Sequence, residues 1–162
     1  MSIPISLHRL AGAWKGTSTL VFTGATPPET TSESVATVVP VARGRFLRVD
    51  YTWSYQSESQ EGTLLVGREK QSGAVQVVWC DSWHQSETFM VSAGRDVAGV
   101  VDVLGHYPAA TGPDWGWRTT IRPSAQPSDN EGWELVMHNI SPDGQEMLAF
   151  RNVYMRADDA RG

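Results

Sequence analysis

Four side chains of reactive type crowd the segment "VQVVWCDSWHQS" (residues 75–86): Cys80, Asp81, Ser82 and His84. Between them they hold a thiol or hydroxyl to attack, an imidazole to act as base and a carboxylate to orient it. The run around them is rich in branched and aromatic residues, however, and reads as a strand. Successive strand side chains point to opposite faces. That puts Val75, Val77, Trp79, Asp81 and Trp83 on one face, and Gln76, Val78, Cys80, Ser82 and His84 on the other. Cys80 and His84 would stand about 13 Å apart at ~3.3 Å per residue, whereas a nucleophile and its base must come within about 3 Å. On this reading the cluster is no dyad. Cys80 is expected to be a small, near-buried side chain, and the neighbouring Asp81 discourages its thiolate. Asp81 keeps a second reading as an acid–base group. Flanked by Trp79 and Trp83, a desolvated carboxylate has its pKa raised toward a useful range.

The elements that must position these residues are nearly all extended. "SLHRLAG" sets Leu7, Leu10 and Ala11 at helical spacing before Gly12, which predicts a short helix over about 6–11. Beyond Gly12 the pattern predicts about ten strands, near 13–23, 33–42, 44–55, 61–69, 74–83, 86–93, 97–106, 115–123, 132–140 and 146–156. Turn-like clusters such as "TGATPPETTS", "EKQSGA" and "SPDGQ" separate them. No link offers the helix that a parallel crossover needs, so the strands form an antiparallel meander.

So many consecutive strands in one domain must curl, because closure removes exposed edges. The expected fold is all-β, an antiparallel up-and-down barrel over about 13–156 with a short N-terminal capping helix and a disordered tail at 157–162. A two-sheet sandwich is the rival. Alternation places Leu47, Val49, Tyr51, Trp53 and Tyr55 on one face of "LRVDYTWSY", with Arg48 and Asp50 opposite. In the same way Trp115, Trp117, Thr119 and Ile121 oppose Arg118 and Arg122, and Trp133, Leu135 and Met137 oppose Glu134, Val136 and His138. The aromatic face is taken as the barrel interior. Such an interior resembles the wall of an apolar pocket with a few polar fixers. The candidate ligand-binding residues are Tyr51, Trp53, Trp79, Trp117 and Met137 for contact, with Asp81 and either Arg68 or Arg45 near a rim to orient a polar end.

Bulk composition narrows the partners. The 162 residues are 40% hydrophobic and 19% charged, an ordinary globular mix, with seven Trp. A net charge of −5 and the absence of a Lys/Arg run argue against nucleic acid. The single cysteine permits no internal disulfide and fits a reducing compartment. Nothing at the N-terminus reads as a signal peptide, and no stretch reaches the ~20 apolar residues of a membrane helix. The expectation is a cytoplasmic protein with no membrane and no nucleic-acid partner. The four histidines, His8, His84, His106 and His138, lack ligand spacing, so no metal and no cofactor is expected.

Three stretches carry a family resemblance: "LAGAWKGTSTL" with its Gly12, Ala13, Trp14 opening, "GRFLRVDYTW", and "WCDSW", followed by a last strand closing in "YMR". In this order they resemble the calycin-like barrels, and among them the uncharacterised bacterial proteins grouped as DUF1579. The resemblance spans roughly residues 7 to 156. It implies that Trp14 packs across one barrel end against Arg156 in a cation–π contact, with the short helix capping that end. The nitrobindin-like relatives of this fold bind haem through a histidine near the C-terminal end. The last strand here has none, and His138, the nearest, falls on the charged face.

Three functions remain. The leading one is an intracellular barrel binding a small apolar or aromatic molecule. The alternative is an enzyme, an isomerase or lyase using Asp81 as acid–base group on an aromatic substrate. A homodimer formed through Val100, Leu104 or Phe150 is the third.

Overall fold

A computed structural model of the chain describes residues 5–85, 87–124 and 132–157. Ten strands carry it: β1 (Gly12–Val21), β2 (Glu29–Val41), β3 (Phe46–Tyr55), β4 (Glu58–Arg68), β5 (Val75–Asp81), β6 (Met90–Val97), β7 (Val100–Tyr107), β8 (Trp115–Pro123), β9 (Gly132–Ile140) and β10 (Glu146–Arg156). Each pairs antiparallel with its sequence neighbour, and β1 pairs with β10 from Trp14↔Arg156 to Leu20↔Phe150. The sheet is therefore a closed barrel without edges, not a sandwich.

The period-two pattern decides which side chains fill it. Leu47, Val49, Tyr51 and Trp53 of β3 point inward, as do Val75, Val77, Trp79 and Asp81 of β5, and Trp133, Leu135 and Met137 of β9. The inward rings mesh with one another. Trp14 meets Trp133 edge to face at 6.1 Å, Trp133 lies 4.6 Å from Tyr154, and Trp79 stacks on Trp117 at 5.2 Å. The aromatic face expected to wall an open space thus packs largely against itself. A buried polar strip closes its own hydrogen bonds. Ser18 Oγ donates to Asn152 Oδ1 (2.5 Å), Asn152 Nδ2 donates to the Tyr154 hydroxyl (2.7 Å), and that hydroxyl also bonds Ser34 Oγ (2.9 Å).

The outward face carries the charges, but not all of them meet water. Glu134 is fully buried, clamped by Arg122 from β8 (2.9 Å) and Arg151 from β10 (2.8 Å). Burial alone would raise its pKa, yet the two guanidiniums hold the carboxyl below its ordinary value.

Three expectations need correction. The helix anticipated over 6–11 does not form; the chain makes a single turn, α1 (Ile5–His8), and Leu10 N and Ala11 N then donate to Leu7 O and His8 O. The strand expected at 86–93 is displaced to β6, because the chain turns sharply after Asp81. Phe150, offered as a dimer-face residue, is fully buried inside the barrel, while Leu104 is exposed and Val100 intermediate. The tail expected to be disordered lies, beyond Ala157, outside the described residues.

Candidate functional site

The odd-numbered strand ends β1, β3, β5, β7 and β9 share one end of the barrel, and Asp81 stands there as the last residue of β5. Its carboxylate competes with the ladder for backbone donors. Asp81 Oδ1 accepts from Trp83 N (2.9 Å) and His84 N (3.0 Å), which folds the chain back on itself. The turn lays His84 over Asp81, and His84 Nδ1 reaches the same oxygen at 3.0 Å. Strand alternation put these two side chains on opposite faces; the side-chain-driven turn makes them a pair. The acid and base of the reactive cluster do meet. Cys80 does not join them: it is exposed on the outer face rather than near-buried.

The second oxygen of Asp81 is equally engaged. Oδ2 accepts from the Tyr51 hydroxyl at 2.7 Å and, less closely, from Trp53 Nε1 at 3.4 Å. Tyr51 in turn accepts from Trp79 Nε1 at 2.9 Å. A glycine makes this possible. Gly62 lies between them in register, opposite Tyr51 on β3 and Asp81 on β5, and a Cβ there would stand 2.3 Å from the Tyr51 hydroxyl. The phenol crosses the strand through that gap.

These contacts set the electrostatics. Burial pushes Asp81 toward neutrality, but the hydrogen bonds from His84 and Tyr51 reverse the sign and hold its carboxyl below the ordinary value. The raised pKa that would make Asp81 a base is therefore not what this environment produces. Tyr51 is held well above its usual value, first by burial and then by the adjacent carboxylate. Asp81 is a fixed, hydrogen-bonded anion.

The His84 side chain is only 6% exposed. Its ring sits among Trp83 (4.8 Å), Phe150 (5.1 Å), Trp53 (5.5 Å), Trp79 (5.6 Å) and Trp117 (5.7 Å). Among the described residues, two polar atoms of this box are buried without a hydrogen-bond partner: His84 Nε2 and Trp117 Nε1.

The structure thus brings together Tyr51, Trp53, Trp79, Asp81 and Trp117. Met137 is buried on β9, opposite Thr119 in register. Arg68 is not near them. It pairs in register with Val75 while Asp81 pairs with Gly62, so it stands at the opposite rim, about 20 Å away at ~3.3 Å per residue. There it contacts Asp96 at 3.3 Å. Arg45 is exposed in the β2–β3 turn at that same far end. His138 points outward from β9. Among the described residues no group of three or more His, Cys, Asp or Glu could hold a metal ion. Sequence reasoning set His84 on the face opposite Asp81, took Trp83 only as a flank of Asp81 and offered Phe150 for a dimer face, so none of the three was counted as a binding residue. The available signal was "DSWH", an aspartate followed by free backbone donors at the next positions, which is an Asx-turn pattern.

Two clefts approach this cluster from outside. β2 and β3 pair only from Val35↔Thr52 to Val41↔Phe46, so their ends toward Asp81 part and leave a notch in the wall. A cleft of about 580 Å3 occupies it, lined by Phe22, Thr30, Thr31, Ser54 and Tyr55 among others. Trp83, 38% exposed, touches Phe22 (6.0 Å) and Tyr55 (5.8 Å) on the cleft side and His84 on the other. A second cleft of about 970 Å3 lies on the outer face, between the sheet at Thr52, Thr63 and Cys80 and the loop residues Glu87, Thr88 and Phe89.

No curated protein matches the sequence. Residues 5–156, nearly the whole chain, match the family described as "Protein of unknown function (DUF1579)", and the chain belongs to that family.

Proposed function

We propose that this chain is a binding protein that takes up a small aromatic or apolar molecule at the Asp81 end of the barrel, entering by the β2/β3 notch. The carrying observation is the pair of buried, unpartnered atoms, His84 Nε2 and Trp117 Nε1, on touching rings inside an aromatic box. Each orphaned group costs about 1–3 kcal/mol, and these two sit on rings in contact with each other. The surrounding rings supply apolar contact, and the notch cleft is within the ~300–1,000 Å3 range of small-molecule sites. Trp83 is the door: among the described residues it links the notch aromatics Phe22 and Tyr55 to His84.

The Asp81–His84 pair also favours a second reading, an enzyme of acid–base type. There His84 would be the base through Nε2 and Asp81 the orienting group, in place of Asp81 as the acid–base group. The two readings share one site.

Titration of the purified protein with the apolar dye N-phenyl-1-naphthylamine, followed by tryptophan fluorescence, tests the binding reading. The expected result is saturable one-to-one binding, about tenfold weaker (~1.4 kcal/mol) in a folded Trp117→Ala variant. Dye uptake that never saturates, or that ignores Trp117, overturns it.

A further inference from the structure

The two orphaned atoms are not of the same kind, and their difference specifies what completes them. Asp81 is an anion that can only accept, so His84 Nδ1 carries the hydrogen in the bond between them. In the neutral imidazole Nε2 is then the accepting lone pair, and it has no hydrogen-bond partner among the described residues. Trp117 Nε1 can only donate. The box therefore presents one acceptor and one donor on rings 5.7 Å apart at 62°.

We infer that the ligand is a neutral, planar molecule carrying an N–H or O–H donor beside a carbonyl acceptor, an aromatic lactam or amide, with its donor on His84 Nε2 and its carbonyl on Trp117 Nε1. This rests on the binding reading above. A carboxylate is disfavoured on two grounds. It offers only acceptors, leaving the Nε2 lone pair unmatched, and it would bring a second anion toward Asp81. A plain hydrocarbon fits the rings but leaves both polar atoms bare. Asp81 is a positioning residue here: its bonds to His84 N and Nδ1 fix the ring and its tautomer.

Three probes of similar shape separate the terms: 2-quinolone, with donor beside carbonyl; N-methyl-2-quinolone, with the donor removed; and naphthalene, with neither. Affinities are measured by ligand-observed NMR on wild type and on His84→Phe, with Trp117→Phe as a second variant should the first fail to fold. In wild type 2-quinolone is expected to bind about tenfold or more tighter than either analogue, the scale of one matched buried polar contact. In either variant that preference should shrink severalfold while naphthalene binding persists. If 2-quinolone and naphthalene bind wild type equally, the donor–acceptor assignment is wrong and the binding reading stands. If none of the three binds the folded protein saturably, the binding reading itself falls.

Discussion

Both ends of this barrel are stoppered by tryptophan, and the stoppers are built on opposite principles. At the end formed by the start of β1 and the close of β10, Trp14 is 2% exposed and its Nε1 donates to Leu10 O at 2.7 Å. Arg156 lies over the Trp14 ring at 4.2 Å and uses Nη1 and Nη2 to hold Ala11 O (2.8 Å) and Arg9 O (2.7 Å). The cation–π contact implied by the family resemblance is present, and one arginine ties the first strand, the last strand and the N-terminal segment together. Trp133 Nε1 is unpartnered near this end, but it stands alone against Trp14 and Tyr154. At the Asp81 end, a buried anion is saturated by five donors while Nε2 of the histidine it holds and Nε1 of the neighbouring Trp117 have no hydrogen-bond partner among the described residues. The first end spends its polar atoms on closure. The second leaves two of them without partners among the described residues.

The sharpest way to break this contrast is at the closed end. Trp14→Ala removes a fully buried ring, its hydrogen bond and the platform under Arg156. The expected loss is about 3–5 kcal/mol, a Tm fall of roughly 10 °C or more in thermal denaturation. A loss below ~1 kcal/mol would mean that Trp14 is no keystone and that the ends do not differ as described.

Next in size is Asp81→Asn. The amide has one acceptor oxygen where the carboxylate has two, so its NH2 must face either the Tyr51 hydroxyl or the Trp83 and His84 amides. The expected cost near pH 7 is about 2–4 kcal/mol, that of spoiling a buried charged hydrogen-bond set. The pH dependence follows from sign. The folded carboxyl is held below its unfolded value of about 3.9, so its stabilisation is present above that pH and is lost as pH falls through the folded value. The gap between wild type and Asp81→Asn in urea titrations should therefore narrow below pH ~4. Glu134, also held low by its arginines, leaves both proteins some acid sensitivity. A gap that stays constant to pH 2 would show that Asp81 is not the buried anion described.

These experiments bear on residues of very different legibility. The wall was plain in the sequence, because alternation is enforced wherever a strand is paired on both sides. The bounds expected for β8, β9 and β10 coincide with those found, and the inward rows through Tyr51 and Trp53, and through Trp133 and Met137, hold. Period two fixes the face, however, and not the depth. Glu134 lies on the charged face as read, yet it is buried, because Arg122 and Arg151 reach it from two neighbouring strands whose register no local pattern reveals. Cys80 failed in the opposite sense, exposed where the packing preference of its type argued for burial. The site was half legible. Its aromatic members followed from alternation, but His84 did not, because alternation ends where Asp81 captures the next backbone amides. Gly62, whose missing side chain lets Tyr51 reach Asp81, had no meaning until β3, β4 and β5 were set in register.

The smallest expected effect is the most discriminating for the open end. Among the described residues, the hydrogen bond that holds Trp83 is its backbone bond to Asp81 Oδ1, which any residue can make. Its ring is over a third exposed. Trp83→Ala should therefore cost only about 1 kcal/mol, far less than removing Trp14. Its kinetic effect should be larger than its thermodynamic one. With the ring gone, the contact that links Phe22 and Tyr55 to His84 is lost. Stopped-flow association of N-phenyl-1-naphthylamine is expected to speed up severalfold, with dissociation faster as well, since a door slows both directions. A variant that lost stability like Trp14→Ala, or whose association rate did not change, would make Trp83 a plug like the one at the other end, and the two ends would then differ only in their hydrogen bonds.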